Sequence, residues 1–325
     1  MVRIVIVYKK VFDKILEWCK EREPIDVVSD GDWDGILATA IFVKQLKIRG
    51  IGVGGVSFPP PREISRLGFV DTVLIELPPS RGYRVLGENI LIDHHGFTGI
   101  KVIMPDREEV LLSVSREVAS VADLVVEVVG LRPEGVLADI LRAVALIDQG
   151  RSKEDSLAWT LHRSYLYNIE SQEFRQRVLA LLIEERFSEL LKLAREEAAN
   201  YDKAVSLVPE IMKRAIDVGQ YLVSWYYRDK EERVVFREAM LNLEKRGKPV
   251  IMIALVKEHV CLIHIGSLVP QVDASKIALT LAEKMRQHGY EVSAGGKRIA
   301  AGIQVLSSNK LTLKKMIDII KQSKV

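Results

Sequence analysis

Cysteine is scarce in this 325-residue chain, which contains only Cys19 and Cys261, far apart and in no CxxC pair. This scarcity argues against a disulfide framework and against a cysteine-based zinc site. No apolar run approaches the roughly 20 residues that a membrane-spanning helix needs. The first residues also lack the order of basic, apolar and small residues that marks a secretory signal. We therefore expect a cytoplasmic protein that does not enter a membrane.

A large excess of charge of one sign is missing as well. The formal net charge is +3, from 47 Lys and Arg against 44 Asp and Glu, so charge alone does not indicate a nucleic-acid-binding protein. Hydrophobic residues make up 48% and charged residues 28% of the chain, which excludes a disordered protein. The length suits two domains, with or without a helical connector between them.

Short apolar runs alternate with helical patterns over residues 1–151. The predicted strands are RIVIVY, IDVVSD, IGVGGVSF, TVLIEL and NILIDHH. The predicted helices are GILATAIFVKQLKIRG, ASVADLVVEVVG and GVLADILRAVALIDQG. Strands that alternate with helices favour a parallel sheet covered on both faces, so we predict an α/β domain for residues 1–151.

The pattern changes after residue 151. Residues 152–248 contain long, charged segments that favour helix, and they predict a helical connector. In residues 249–325, KPVIMIALVKEHVCLIHIGS predicts two strands and a short turn, followed by a helix from about Asp273 to His288. A final strand, IQVLS, and the helix TLKKMIDIIKQ complete a predicted smaller α/β domain.

Three aspartates stand at alternate positions directly after the predicted strand IDVVSD. Asp30, Asp32 and Asp34 lie between that strand and a helix, at the carboxyl edge of a parallel sheet, where such folds bind ligands. Clustered carboxylates at this edge require a cation. The alternative is an acidic turn in which Asp34 caps the next helix.

A second group of polar residues ends the strand NILIDHH. Asp93, His94 and His95 combine carboxylate oxygen with imidazole nitrogen, a mixture that suits manganese, zinc or iron. Glu76 ends the strand TVLIEL, and Asp148 follows an apolar helical face. Taken alone, each of these two acids would be a solvated loop residue. Together the acids and histidines predict a site for two divalent cations, which clamp the oxygens of an in-line displacement at phosphorus.

The segments SDGDWDG, IDHHG, DQG and AGGKRIAAG resemble the motifs of the DHH phosphoesterase superfamily, most closely its RecJ-like branch, over nearly the whole chain. The resemblance implies an α/β fold with a parallel-sheet DHH domain and a smaller DHH-associated C-terminal domain. It also implies two Mn²⁺ or Mg²⁺ ions. The implied metal ligands are Asp30, Asp32, Asp34, Glu76, Asp93, His94 and Asp148, and the implied catalytic residues are Asp93 and His95.

The sequence departs from the family pattern at two positions. Glu76 stands where the family has an aspartate that bridges the two metals. In the C-terminal motif, Lys297 stands where the family has a histidine. Lys297 still supplies a cation, and the preceding Gly295 and Gly296 let backbone N–H groups approach a phosphate closely, with Arg298 beside them. The alternative for this glycine-rich stretch is an ordinary turn.

The first functional hypothesis is a metal-dependent phosphodiesterase, an exonuclease acting on single-stranded DNA or RNA that passes between the two domains. Cations and stacked aromatics hold such strands, and the segment YLVSWYYRDK offers Tyr221, Trp225, Tyr226 and Arg228. The alternative for that segment is packing within a helix.

The second hypothesis is a non-catalytic RecJ-like subunit of the archaeal replicative helicase, which binds GINS and the MCM ring. Glu76 and Lys297 are changes that the decay of an active site would produce. Against this hypothesis, a chain that no longer binds metal has little reason to keep so many acids together. A third hypothesis is hydrolysis of short oligonucleotides or cyclic dinucleotides, as in other DHH branches.

Overall fold

The computed structural model describes residues 2–228, 231–306 and 310–323. Contacts within the chain define two compact units, Met1–Ala199 and Asn200–Val325. Each unit contains a β-sheet with helices, so the predicted α/β class is confirmed. Residues 152–248, which the sequence pattern assigns to a connector, are shared between the two units. Within the described residues, no helix has both the length and the apolar composition of a membrane span.

The first unit contains most of the parallel strands. Its helices are α1 (Val2–Glu21), α2 (Trp33–Ile48), α3 (Pro61–Ile64), α4 (Val121–Val129), α5 (Gly135–Asp148), α6 (Ser156–Tyr167), α7 (Gln172–Ile183) and α8 (Phe187–Val205), the last of which runs past residue 199. Its strands are β1 (Ile25–Ser29), β2 (Val53–Ser57), β3 (Gly68–Phe69), β4 (Thr72–Ile75), β5 (Arg84–Val85), β6 (Asn89–Asp93), β7 (Gly99–Ile103) and β8 (Glu108–Ser113).

The main sheet of this unit has the strand order β2-β1-β4-β6-β7-β8. Strands β2, β1, β4 and β6 are parallel, and β7 and β8 are antiparallel to their neighbours. Ser29 pairs with Ile75, and Ile75 pairs with Ile92. Because these partners lie side by side, the residues that follow them reach the same edge of the sheet.

The predicted strand at residues 3–8 is wrong, because this segment is part of α1. Further along α1, Val11, Phe12, Ile15 and Cys19 are buried at helical spacing. A short apolar run cannot by itself distinguish a strand from a helix.

The second unit is built on a sheet of order β13-β14-β12-β11-β10-β9. Its helices are α9 (Val208–Lys213), α10 (Glu232–Glu244), α11 (Ala274–Gln287) and α12 (Leu313–Gln322). Its strands are β9 (Ile216–Val218), β10 (Tyr221–Tyr227), β11 (Val250–Val256), β12 (His259–Gly266), β13 (Val292–Gly296) and β14 (Ala300–Val305).

The second unit contains one of the helices predicted from the sequence, and it has strands where another helix was expected. The helix expected from Asp273 to His288 is confirmed, since these residues are the N-cap and C-cap of α11. By contrast, residues 216–227 are strands and not helix, and β10 pairs in parallel with β11. The aromatic and β-branched side chains of LVSWYY explain this outcome, because such residues pack well on a sheet. Ser307, the last residue of the predicted strand IQVLS, lies outside the described residues.

Candidate metal centre

The site lies at the carboxyl ends of the parallel strands in the first unit. Asp30 follows β1, Glu76 follows β4, and Asp93 is the last residue of β6. The register of these strands is continuous up to Ser29, Ile75 and Ile92, which brings the three acids to one edge. Asp32 and Asp34 stand at the start of α2, and Asp148 ends α5.

Six of the seven predicted metal ligands meet in groups that could hold cations. Within each group, every residue offers a ligand atom within 4.8 Å of the others. The groups are Asp30, Asp32 and Glu76; Asp34, Glu76, His94 and Asp148; and Glu76, His94 and His95. Glu76 belongs to all three groups, so it can be shared between two neighbouring cations.

Glu76 is an acidic residue with a buried side chain and a left-handed backbone. Its side chain is buried, and Oε2 has no hydrogen-bond partner. Its backbone φ of +61° lies in the left-handed region, which costs a non-glycine residue on the order of 1 kcal/mol or more. A strained backbone and an unpartnered buried carboxylate oxygen together indicate a binding function at this position.

His94 extends its ring into the same cluster. Its Nε2 lies 3.6 Å from Asp148 Oδ2, 3.7 Å from Glu76 Oε1 and 3.9 Å from Asp34 Oδ2. This nitrogen is buried and has no hydrogen-bond partner. Three acids that surround an unpartnered imidazole nitrogen, all just beyond hydrogen-bond distance, fit a cation bound among them. Carboxylate oxygens with one imidazole suit Mn²⁺, and the oxygen-rich group of Asp30, Asp32 and Glu76 also suits Mg²⁺.

Burial and mutual repulsion shift the titration of these acids. Burial and the charge of Asp32 raise the pKa of Asp30 to about 8. Burial, followed by the charges of neighbouring aspartates, raises the pKa of Asp34 and of Glu76 well above its usual range. Burial also raises the pKa of Asp148. Acids arranged in this way bind either protons or cations, so a metal-binding function accounts for their proximity.

Two of the clustered aspartates have a second, structural use. Asp32 is the N-cap of α2, where Oδ1 accepts from the Gly35 N–H at 3.0 Å. Both carboxylate oxygens of Asp34 accept backbone N–H groups from the start of α4, those of Val121 at 2.6 Å and Ala122 at 2.8 Å. Asp34 therefore caps α4. The sequence alternative had Asp34 cap the helix that follows it, α2.

Asp93 organises the histidine pair. Its Oδ1 accepts the backbone N–H groups of His94 at 2.7 Å and His95 at 3.0 Å, and it lies 2.9 Å from His95 Nδ1. Among the described residues, Asp93 is in none of the cation-binding groups. The geometry makes it a positioning residue for the His94–His95 turn and the His95 ring, and its function as a metal ligand stays a prediction. The side chain of His95 is 48% exposed and reaches solvent beside the cluster.

Sequence reasoning missed two residues that support the site. Arg175 of α7 is buried and donates from Nε to the Gly31 carbonyl at 2.8 Å, which secures the loop between Asp30 and Asp32. In the sequence, the sign that Arg175 is buried is its position among the apolar residues of an amphipathic helix. Gly35 leaves room for the acids, because a Cβ there would lie 2.6 Å from Asp30 Oδ1 and 3.1 Å from Glu76 Oε2.

The predicted phosphate-binding residues lie in the second unit. Gly295 and Gly296 end β13, and Lys297 and Arg298 are in the exposed hairpin between β13 and β14. A Cβ at Gly296, whose φ is +149°, would lie 2.6 Å from the Ala300 carbonyl oxygen. Strand pairing therefore requires this glycine, whether or not a phosphate binds. The phosphate-binding function of the four residues stays a prediction.

The aromatic segment considered for base stacking is part of the core of the second unit. Tyr221 and Tyr226 of β10 are buried, and Trp225 packs against the same core. The Tyr226 hydroxyl lies 3.0 Å from His264 Nε2, and its ring stacks on Phe236 at 4.5 Å. Packing is therefore the better interpretation of this segment, within a sheet and not within a helix.

No protein-family profile matches the sequence, and no curated protein matches it significantly. Solved structures do match the fold. RecJ from Thermus thermophilus in complex with Mn²⁺ has a TM-score of 0.52 and 16% identity over 97% of this chain. A manganese-bound exonuclease RecJ has a TM-score of 0.54 and 17% identity, covering 97% of this chain and 92% of its own. The DHH domain of a protein assigned to a family of ribosomal proteins has a TM-score of 0.50 and 13% identity, covering 98% of this chain and 90% of its own.

These similarities establish the fold of the chain as that of the RecJ-like DHH proteins, which confirms the fold that the sequence motifs implied. The chain spans 54% of the length of the Thermus thermophilus RecJ chain. That RecJ is solved with Mn²⁺ and also with Mg²⁺. The present chain places clustered acids and histidines at the carboxyl edge of its parallel sheet, where they could bind metal.

Proposed function

We propose that this chain is a metal-dependent phosphodiesterase that cleaves single-stranded DNA or RNA. The observation that carries the proposal is the convergence of Asp30, Asp32, Asp34, Glu76, His94 and Asp148 into overlapping groups that share Glu76. This donor set would hold two Mn²⁺ or Mg²⁺ ions. When bound, such ions supply the Lewis acidity that polarises a phosphodiester and activates water for in-line attack.

The residues of the chain have distinct functions in this proposal. Glu76 belongs both to the group with Asp30 and Asp32 and to the group with Asp34, His94 and Asp148, so its carboxylate would serve both ions. Asp93 accepts a hydrogen bond from His95 Nδ1, since a carboxylate only accepts, and the protonated form of this exposed ring would donate from Nε2 to a phosphate oxygen. Arg81 lies 4.0 Å from Asp30 at the rim, where a cation favours the approach of an anionic substrate. Phosphate binding by Lys297 and Arg298 is a separate proposal for the second unit.

End-labelled single-stranded DNA and RNA incubated with Mn²⁺ or Mg²⁺ test the proposal. We expect metal-dependent cleavage by the wild-type chain and loss of cleavage in Asp148→Asn, which removes one ligand charge at a partly exposed position. Asp139→Asn changes an exposed acid of the same helix and serves as the matched control. Failure of the wild type to cut any of these substrates, or full activity of Asp148→Asn, would contradict the proposal.

The second candidate is a non-catalytic subunit of the archaeal replicative helicase that binds GINS and MCM. A specific observation favours it: Asp32 caps α2, Asp34 caps α4 and Asp93 holds the histidine turn. Each of these acids would persist in a chain that has stopped binding metal, so their retention is weaker support for catalysis than the sequence alone indicates. Inactivity of the wild type, gain of cleavage in Glu76→Asp, and co-purification with GINS and MCM would together favour this candidate.

A further inference from the structure

Ser29 is a buried polar residue at the end of β1 to which the proposed function gives no task. Its side chain is fully buried, and Oγ has no hydrogen-bond partner in the part of the chain that the structure describes. A buried hydroxyl without a partner costs free energy, and an alanine would occupy the same position without that cost. The serine therefore indicates a partner that the polypeptide itself does not supply.

Strand β1 directs the Ser29 side chain toward the start of α2. Side chains two apart in a strand lie on the same face of the sheet, so Ser29 shares the face of Val27. Val27 belongs to the core cluster that also contains Trp33 and Ile36 of α2. Ser29 thus lies at the end of this core, directly before Asp30, the first acid of the candidate metal centre.

The atoms around Gly35, in the first turn of α2, show what the Ser29 hydroxyl faces. The three atoms nearest to the position that a Cβ on this glycine would occupy are Ser29 Oγ, Asp30 Oδ1 and Glu76 Oε2. Asp30 Oδ1 lies 2.6 Å and Glu76 Oε2 3.1 Å from that position, and Ser29 Oγ lies closer still. The hydroxyl therefore faces the same point as two acids of one candidate cation group, and Glu76 Oε2 is likewise buried and unpartnered among the described residues.

A serine hydroxyl has the chemistry of a ligand for a hard divalent cation. Mg²⁺ and Mn²⁺ take octahedral sets of about six oxygen ligands, whereas this group supplies the carboxylates of Asp30, Asp32 and Glu76. A hydroxyl adds an oxygen without adding a negative charge to the crowded acids. Serine and threonine hydroxyls coordinate Mg²⁺ in the phosphate-binding loops of other proteins.

We infer that Ser29 Oγ is a further ligand of the cation that Asp30, Asp32 and Glu76 would hold. This inference rests on the proposed function, because it needs the metal centre, and it adds a neutral ligand to the acids and the histidine. The cation would be the partner of both the Ser29 hydroxyl and Glu76 Oε2, which accounts for a buried serine at this position.

Two pairs of variants test the inference through metal binding. Ser29→Ala removes the hydroxyl, and Thr39→Val removes another fully buried hydroxyl that has no partner within the described residues. Thr39 is the matched control, because it lies one helical turn beyond Gly35 on α2. Ser29→Cys and Thr39→Cys replace each hydroxyl by a thiol, a ligand that prefers soft cations such as Cd²⁺.

Calorimetry should show that Ser29→Ala binds Mn²⁺ at least about 10-fold more weakly than wild type, the scale of losing one partner around a bound metal. Thr39→Val should bind Mn²⁺ like the wild type. Urea denaturation in EDTA should show no loss of stability in Ser29→Ala, because the removed hydroxyl has no partner there. With Cd²⁺, Ser29→Cys should show thiolate-to-metal charge-transfer absorption, and Thr39→Cys, which contains the same two native cysteines, should not.

Wild-type Mn²⁺ affinity in Ser29→Ala, or absence of the cadmium absorption in a folded Ser29→Cys, would overturn the inference. The proposed function stands in that case if the wild type cleaves single strands in Mn²⁺. If the wild type binds Mn²⁺ without cleaving them and both Ser29 variants behave as expected, the ligand is supported and catalysis is refuted. A wild type that binds no Mn²⁺ refutes both. Should Ser29→Cys not fold, the Mn²⁺ affinity of Ser29→Ala decides alone.

Discussion

Replacing Glu76 by Gln should stabilise the metal-free chain and remove most of the stability that metal binding adds. In the metal-free chain, the buried Glu76 carboxylate stands among Asp30, Asp32 and Asp34, whose charges, after burial, raise its pKa. A glutamine of the same shape removes one of these charges and the need to protonate it. In the metal-bound chain, the same change removes the ligand that all three candidate cation groups share.

The expected change in the free energy of unfolding follows from the separation of the clustered acids. Ligand atoms of Glu76 and Asp30 lie within 4.8 Å, and two like charges at that separation repel by about 3 kcal/mol at an effective dielectric constant near 20. Protonation relieves part of this repulsion, so we expect Glu76→Gln to stabilise the metal-free chain by about 1–3 kcal/mol. An ion present at 100 times its Kd stabilises the wild type by about 2.7 kcal/mol, and the variant should lose most of this gain.

Urea denaturation at pH 7, with EDTA or with MnCl₂, measures both effects. Glu117→Gln, which neutralises an exposed acid of the same unit, is the control and should change neither curve appreciably. The account predicts that Glu76→Gln is more stable than wild type in EDTA and gains much less stability from Mn²⁺ than the wild type does. A variant that is less stable than wild type in EDTA, or that gains as much from Mn²⁺ as the wild type does, would refute the reasoning.

Three further perturbations probe other parts of the account. Asp93→Ala leaves N–H groups of the histidine turn without their acceptor and should cost about 1–3 kcal/mol in urea denaturation, whereas the exposed Asp106→Ala should be neutral. Gly35→Ala suits a helix but forces a methyl group against Ser29 Oγ and Asp30 Oδ1, so the helix content by circular dichroism should stay unchanged while calorimetry detects no Mn²⁺ binding. Burial and neighbouring arginines lower the pKa of His264 from 6.5 to about 4. The unfolded chain therefore binds the extra proton first, and stability should fall by up to about 3 kcal/mol as pH decreases from 6.5 to 4, a loss that His264→Gln should abolish.

Each of these predictions has an outcome that contradicts it. Unchanged stability of Asp93→Ala would mean that the turn does not depend on this carboxylate. Normal Mn²⁺ binding by Gly35→Ala would show that Mn²⁺ does not need the close packing of the acids against the start of α2. An identical pH dependence of wild type and His264→Gln would remove the half-buried His264 imidazole as the cause of acid sensitivity in the second unit.

The edge of the sheet was predictable because three buried runs end in acids. The strands before Asp30, Glu76 and Asp93 are largely apolar, and parallel strands present their carboxyl ends together. The burial of Glu76 was not predictable from its own neighbours, since an acid shortly before two prolines suggests an exposed loop. It depends on a left-handed backbone at that residue and on the register between β4 and β6.

Other features depended on contacts that no local pattern encodes. The capping of α4 by Asp34 joins residues 87 positions apart, and the bond from Arg175 to Gly31 spans 144. The strands β9 and β10 were read as helix because they follow a long helical region, and only their pairing with each other and with β11 defines them as part of the second sheet. Helix α6 lies in the segment that the sequence assigned to a connector.

A crystal of the wild-type chain soaked in Mn²⁺ and measured at the manganese absorption edge tests the central claim most directly. The account predicts two adjoining anomalous peaks, one among Asp30, Asp32 and Glu76 and one among Asp34, Glu76, His94 and Asp148. Absence of both peaks at millimolar Mn²⁺, or peaks only at other acids of the surface, would contradict the claim that these side chains form a metal centre.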